Sequence, residues 1–312
     1  IRFNGTGRAY VGEVAGSSFN DLGELEGLSY QASTSTTKLK STRNAARATI
    51  LEVPNETEAS VSFGMREVTE ENLKMALLGS AVNSDNQAAS NVYQTTKTWA
   101  ADLYLDLGHM NVFSTKVSHG TVSGGPFAVG DTVTGGTSSA SGKVAYAGAN
   151  FVELVQVSGN FAAGETLTAT TKTATVTGVE KLEDVVITAS TGTTRRVQGT
   201  DYTIDPDYGY VRKLSTGAVA DTDKISYDYE AVDRKYFYGL SSGSVTKKLI
   251  FVADKDDPGP RQRWTFHKVQ INLNGDFPLI GEGAQILQVT GTVLADTTQP
   301  SGQEYYKLEI MP

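Results

Sequence analysis

The sequence predicts a mostly β protein with one short α-helix, a basic hairpin loop and an inserted β region. Three observations carry this. Apolar residues alternate with polar ones along many short runs. Only one stretch shows a helical period. The middle is rich in Gly, Ser, Thr and Val and repeats one of its own phrases.

The alternation is plainest in "EASVSFGMREV", where Ala59, Val61, Phe63 and Met65 share one face and Glu58, Ser60, Ser62 and Arg66 the other. "WAADLYLDLG" repeats it, with Leu103, Leu105 and Leu107 opposite Asp102, Tyr104 and Asp106. "KISYDYEAV", "KKLIFVAD", "HKVQINLNG", "AQILQVTGTVLAD" and "EYYKLEI" read the same way. The exception is "TEENLKMALLG". Thr69 is a natural N-cap, two Glu residues sit where the helix dipole favours negative charge, and Gly79 is a stop. Leu73, Ala76 and Leu77 then line one face at helical spacing.

Two loops are expected. "YQASTSTTKLKSTRNAARA", between two strand-like runs, is polar and basic and reads as an extended hairpin tip carrying Lys38, Lys40, Arg43 and Arg47. "GSAVNSDNQAASN" follows the helix as a surface loop. In the middle, "PFAVGDTVTGG" from Pro126 is echoed by "NFAAGETLTA" from Asn160. Two copies are too few for a solenoid, and the glycines and β-branched residues exclude helical repeats. The reading is a small β domain of two similar hairpin units. Phe127 and Phe161 anchor its core, and Gly-Asp or Gly-Glu makes each turn. The alternative is that the phrases contact carbohydrate.

Composition narrows the function. There are no cysteines, so disulfides and thiolate metal sites are excluded. No apolar run is long enough to span a membrane, and no basic-then-apolar leader opens the sequence. The net charge of −8 disfavours tight phosphate binding. No constellation points to catalysis, so no enzyme activity and no cofactor are expected. "GLSSG" around Ser241 has the nucleophile pattern, but a strand-like run follows it where the chemistry needs a helix. His109, His119 and His267 lack metal-ligand spacing. "DKDDPGP" from Asp254 begins like a calcium loop but lacks the bidentate acid.

Two longer stretches carry a resemblance. "GTDYTIDPDYGYVRKLSTGAVADTDKISYDYEA" (199–231) resembles a segment of tail proteins of long-tailed bacteriophages. "GPRQRWTFHKVQINLNGDFPLIGEGAQILQVTGTVLAD" (259–296) is similar to the C-terminal part of phage major tail tube proteins. The resemblance implies a tail-tube-type β-sandwich or barrel made of 1–117 and 233–312. An inserted β domain would occupy 118–181, and 182–232 would be a second small β segment, either part of the insertion or a bridge to the tube.

The family's subunits form six-fold or pseudo-six-fold rings that stack into a conduit for DNA. Implied partners are further copies of the chain, the tape measure, tail terminator and baseplate or tip proteins, and the passing genome. No membrane is implied. The expected location is the virion, after assembly in the host cytoplasm, with a non-contractile tail favoured. Residues 1–115 hold 13 acids against 9 bases, and Glu52, Glu56, Glu58, Asp102 and Asp106 are candidates to face an acidic lumen that repels phosphate. Lys38, Lys40, Arg43 and Arg47 would meet the next ring. The alternative role is a tail decoration or adhesin that binds the host surface.

Overall fold

The computed structural model describes residues 6–43, 47–67, 69–254, 261–273, 279–280 and 286–311. Strands dominate, with one α-helix among the described residues. The "DKDDPGP" turn after Asp254 and the Asn-Gly turn at 274–275 lie outside them.

The chain forms two compact units, Ile1–Asn83 with Tyr236–Pro312, and Ser84–Lys235. The sequence reading set the first boundary at 117/118. The division falls at 83/84 because Ser90–Thr96, Tyr104–Asp106 and Val112–His119 all pair with strands of the middle segment. Residues 182–232 also belong to this middle unit. Lys224–Tyr229 joins Val186–Thr188, Ser90–Thr96 and the barrel strand Val112–His119 in one sheet.

The outer unit is an eight-stranded antiparallel sheet. From one edge its strands run Phe19–Asp21, Gly7–Gly12, Val245–Ala253, Arg261–Leu273, Leu287–Val293, Thr49–Met65 and Leu25–Lys40, with Tyr306–Met311 also pairing Arg261–Leu273. The alternating residues Ala59, Val61, Phe63 and Met65 are all buried in its core. The helix Glu70–Ala76 packs on that core through Met75 and Ala76, and Thr69 Oγ1 accepts the Asn72 N–H at 3.2 Å.

The face of this helix differs from the periodic reading. Asn72, Met75 and Ala76 are buried, while Leu73 is half-buried. Asn72 is tolerated inside because its Nδ2 donates to the Leu22 and Glu67 carbonyls, both at 3.1 Å. The stop also differs. Gly79 N–H donates to Lys74 O at 2.8 Å, which closes the C-terminal turn, but the left-handed residue is Leu78, at φ 50°.

In the middle unit, six strands close into a barrel. Their order is Val112–His119, Phe151–Ser158, Ser141–Ala147, Thr132–Gly135, Thr166–Ala169 and Lys172–Leu182, and the last pairs with the first. Closure removes the free edges that an open sheet would expose.

The echoed phrases are equivalent corners of this barrel. Phe127 and Phe161 are 6% and 7% exposed and belong to the barrel core, so neither is placed to touch a ligand. Burying each contributes about 1.5–3 kcal/mol. Gly130 and Gly164 take φ 92° and 88°, and their N–H groups donate to Val144 and Val176.

A second core in this unit centres on Tyr202, Val211, Ile225 and Tyr227. At its rim the half-buried Arg195 side chain bonds Glu153 Oε2 at 2.6 Å and Asp184 Oδ2 at 3.0 Å.

Candidate assembly surface

The segment read as a loop from Tyr30 to Arg47 is mostly strand. Leu25–Lys40 pairs antiparallel with Thr49–Met65, with three register shifts along the way, as far as the Lys40–Thr49 pair. The expected hairpin is present, but its strands run further toward the tip than the polar composition indicates, because alternation signals a strand only when one of its faces is buried. Thr49–Met65 pairs with Leu287–Val293 only from Ala59 to Met65. Beyond that the hairpin continues as a two-stranded ribbon, with every described residue of 31–40 and 49–58 exposed. At about 3.3 Å per residue, its ten residues per strand reach roughly 30 Å past the sheet.

The ribbon is amphipathic. Leu39 pairs with Leu51 and Thr37 with Val53, so Leu39, Leu51 and Val53 share a face, and Ile50 lies at the bulge beside them. These four residues are 59%, 53%, 45% and 65% exposed. The opposite face carries Lys38, paired with Glu52 across the strands at 3.5 Å, and Thr36, whose hydroxyl donates to Glu52 at 2.7 Å. Lys40, Arg43 and Arg47 cluster at the tip, where Arg47 has φ 44°.

The lumen candidates do not form one set. Glu52, Glu56 and Glu58 would share a face in an unbroken strand. The register shifts at Pro54 and Asn55, since Ser35 pairs with Glu56 but Thr36 with Pro54. This bulge leaves Glu56 and Glu58 on the face of Ser35 and Ser33, while Glu52 lies on the other. Proline is tolerated at such a position because it has no ladder N–H to lose.

Asp102 and Asp106 lie in the middle unit and the three glutamates in the outer one. Asp102 sits in a turn at φ 60° and accepts from Arg212 at 3.3 Å. Asp106 accepts the Gly108 N–H at 2.7 Å. Only Tyr104–Asp106 of the "WAADLYLDLG" run is strand, and Leu103 is 64% exposed.

A second feature of the outer unit was missed by sequence reasoning. An open groove of about 890 Å³ runs beside the unpaired edge of the Leu25–Lys40 strand. Tyr30, Trp264 and Phe266 line it, with Asp21, Glu24 and Glu67 among the acids around them. The three rings pack together at centroid distances of 5.6–6.1 Å. Its residues come from distant parts of the chain, so no local signal marks it.

The remaining sequence candidates have structural partners. Ser241 donates its hydroxyl to the Tyr238 carbonyl, and the next element is the strand Val245–Ala253. His109 stacks on Tyr229 at 3.9 Å and bonds the Tyr227 hydroxyl at 3.0 Å. His119 is buried, with Nδ1 donating to the Gly120 carbonyl at 2.8 Å.

No curated protein matches the chain. A family model, described as protein of unknown function UCP028589, matches residues 2–174 and 147–307. Between them these matches span nearly the whole sequence, and the chain belongs to that family.

Proposed function

We propose that this protein is a structural subunit of a phage tail tube, assembling into stacked rings that form a conduit for DNA. The observation that carries the reading is the ribbon of residues 31–40 and 49–58. A two-stranded hairpin is at best marginally stable alone in water, and this one exposes an apolar stripe at its end. Such an element is accounted for if a second copy covers it. The same unit carries a groove with aromatic rings and acids, complementary in character to an apolar ribbon with a basic tip. Complementary surfaces at different places on one chain give a head-to-tail contact, which closes into rings or continues into stacks.

The resemblance of 199–231 and 259–296 to tail proteins supplies the biological setting. The charge of −8 suits a channel through which DNA slides without adhering. In this reading Glu52, Glu56, Glu58, Asp102 and Asp106 are the lumen candidates, with Glu56 and Glu58 on one face of the ribbon's base.

Negative-stain microscopy and sedimentation of the purified chain test it. Hollow stacked rings are expected. A chain that stays monomeric at tens of micromolar overturns the reading.

A further inference from the structure

The middle unit presents a small sheet with one face to solvent. Tyr202–Asp205, Tyr210–Lys213 and Tyr104–Asp106 form three antiparallel strands. Tyr202 and Val211 are fully buried behind it, with Leu105 and Ile204 packed on the same core. By the pairing register, the opposite face holds Thr203, Asp205, Tyr210, Arg212, Tyr104 and Asp106.

Two tyrosines of the strands and one of the adjoining turn are exposed here. Tyr104, Tyr208 and Tyr210 are 65%, 58% and 40% exposed. The rings of Tyr208 and Tyr210 lie within 14° of parallel with centroids 6.3 Å apart, a stacked pair. The Arg212 guanidinium sits 5.8 Å from the centre of the Tyr104 ring and is held there by Asp102 at 3.3 Å. Asp106 gives one oxygen to the Gly108 N–H at 2.7 Å, which leaves its second oxygen for a ligand. Asp205, at the far strand, points its first oxygen toward the Tyr208 N–H at 3.4 Å.

We propose that this face binds a saccharide without acidic groups. A sugar ring has a flat C–H face and a rim of hydroxyls, so it needs a flat amphipathic surface with hydrogen-bonding groups at its margin. Tyrosine supplies the first at little cost in side-chain freedom. Asp106, Asp205, Arg212 and Thr203 supply the second. The sheet face carries no aliphatic side chain, so an apolar ligand gains little there. Its carboxylates repel phosphates and acidic sugars.

Size separates this from a protein contact. Three strands at about 4.8 Å spacing and three to four residues at about 3.4 Å cover roughly 10 by 12 Å. That accommodates two or three sugar rings and falls far below the ~800 Å² per partner of a stable protein interface. The site does not depend on the tube reading.

Calorimetric titration of the full chain with chitotetraose and with maltotetraose, and with tetragalacturonate as the acidic control, tests the proposal. Binding of at least one neutral oligosaccharide is expected, with none of the acidic one. Tyr104→Ala, Tyr208→Ala and Tyr210→Ala should each weaken it at least about tenfold. Because these side chains are exposed, the melting temperature should hold. Tyr236→Ala, an exposed tyrosine of the outer unit, should leave binding unchanged. The proposal is overturned if neither neutral sugar binds, if tetragalacturonate binds as well, or if the three variants bind normally. It is equally overturned if they change the sedimentation of the chain instead, which would make the face a protein interface.

Discussion

Asp131 and Glu165 make the same contact at equivalent corners of the barrel. Each carboxylate accepts the N–H of the residue three before it, Ala128 at 2.8 Å and Ala162 at 2.7 Å. Each also reaches into the other half of the repeat. Asp131 takes the Lys172 ammonium at 2.7 Å, and Glu165 accepts the N–H groups and hydroxyls of Thr137 and Ser138 at 2.9–3.1 Å. The echoed phrase is a corner lock, used twice in opposite directions across the pairing of Thr132–Gly135 with Thr166–Ala169.

Glu165 makes the barrel acid-sensitive. Burial works against its charge, but the N–H groups of Ala162, Ser138 and Thr137 and the Ser138 hydroxyl outweigh burial and hold its pKa down to about 2 from an ordinary 4.5. A carboxyl depressed on folding adds stability above its unfolded pKa, and that stability is lost as pH falls through the folded value. Thermal melts should therefore show a loss between about pH 4.5 and 2 that Glu165→Gln largely removes. At pH 7, Glu165→Ala should cost about 1–2 kcal/mol, because the Ala162, Thr137 and Ser138 N–H groups lose a charged acceptor but lie where water can replace it.

Arg195 predicts the opposite slope. Burial raises the carboxyls of Glu153 and Asp184, and the Arg195 guanidinium counters it. The Tyr202 hydroxyl also donates to Asp184, at 2.8 Å. Replacing Arg195 with Met leaves the buried Glu153 and the half-buried Asp184 without their cation, a loss of about 3 kcal/mol at neutral pH. A carboxyl raised on folding contributes stability at low pH that is lost as pH rises through the folded value. The variant should melt higher at pH 5 than at pH 8. A flat profile would mean water reaches these groups.

The barrel and the ribbon mark two limits of sequence reading. The Phe-Ala-x-Gly-acid phrase was visible because a repeated corner repeats its residue types, and Phe127 and Phe161 lie in the core. Which strands close the ring was not visible. The pairing of Phe151–Leu154 with Thr115–Ser118 joins segments that alternate like any other half-buried strand. The ribbon failed for the converse reason. With both faces in water, its Ser and Thr residues carry no alternation, and the bulge at Pro54 and Asn55 moves Glu52 off the face that spacing assigned it. The tyrosine face was partly legible, since Tyr104 was placed opposite the leucines, but its Tyr210 and Arg212 neighbours come from a distant strand.

Leu78 holds a backbone conformation that side chains disfavour, at φ 50°. Glycine takes it without penalty. Because Leu78 is only half-buried, little packing is lost on its removal. Leu78→Gly should raise the stability of the outer unit by about 1 kcal/mol, read as a higher denaturant midpoint at unchanged slope. Gly79→Ala should be destabilising, since a Cβ there would stand 2.5 Å from the Phe237 ring.

The ribbon separates folding from assembly. Leu39 and Leu51 face each other across it and touch no core cluster, so changing both to Ser should alter the melting temperature of the isolated chain very little. If the apolar stripe is the contact between copies, the same double variant should sediment as a monomer under conditions where the unaltered chain forms rings. Lys40→Glu with Arg43→Glu tests the basic tip by a different force. Its assembly should be weakened most at low ionic strength, where attraction between exposed charges is least screened. Normal assembly by the Leu variant would show that the stripe is not buried between copies, whatever else holds them together.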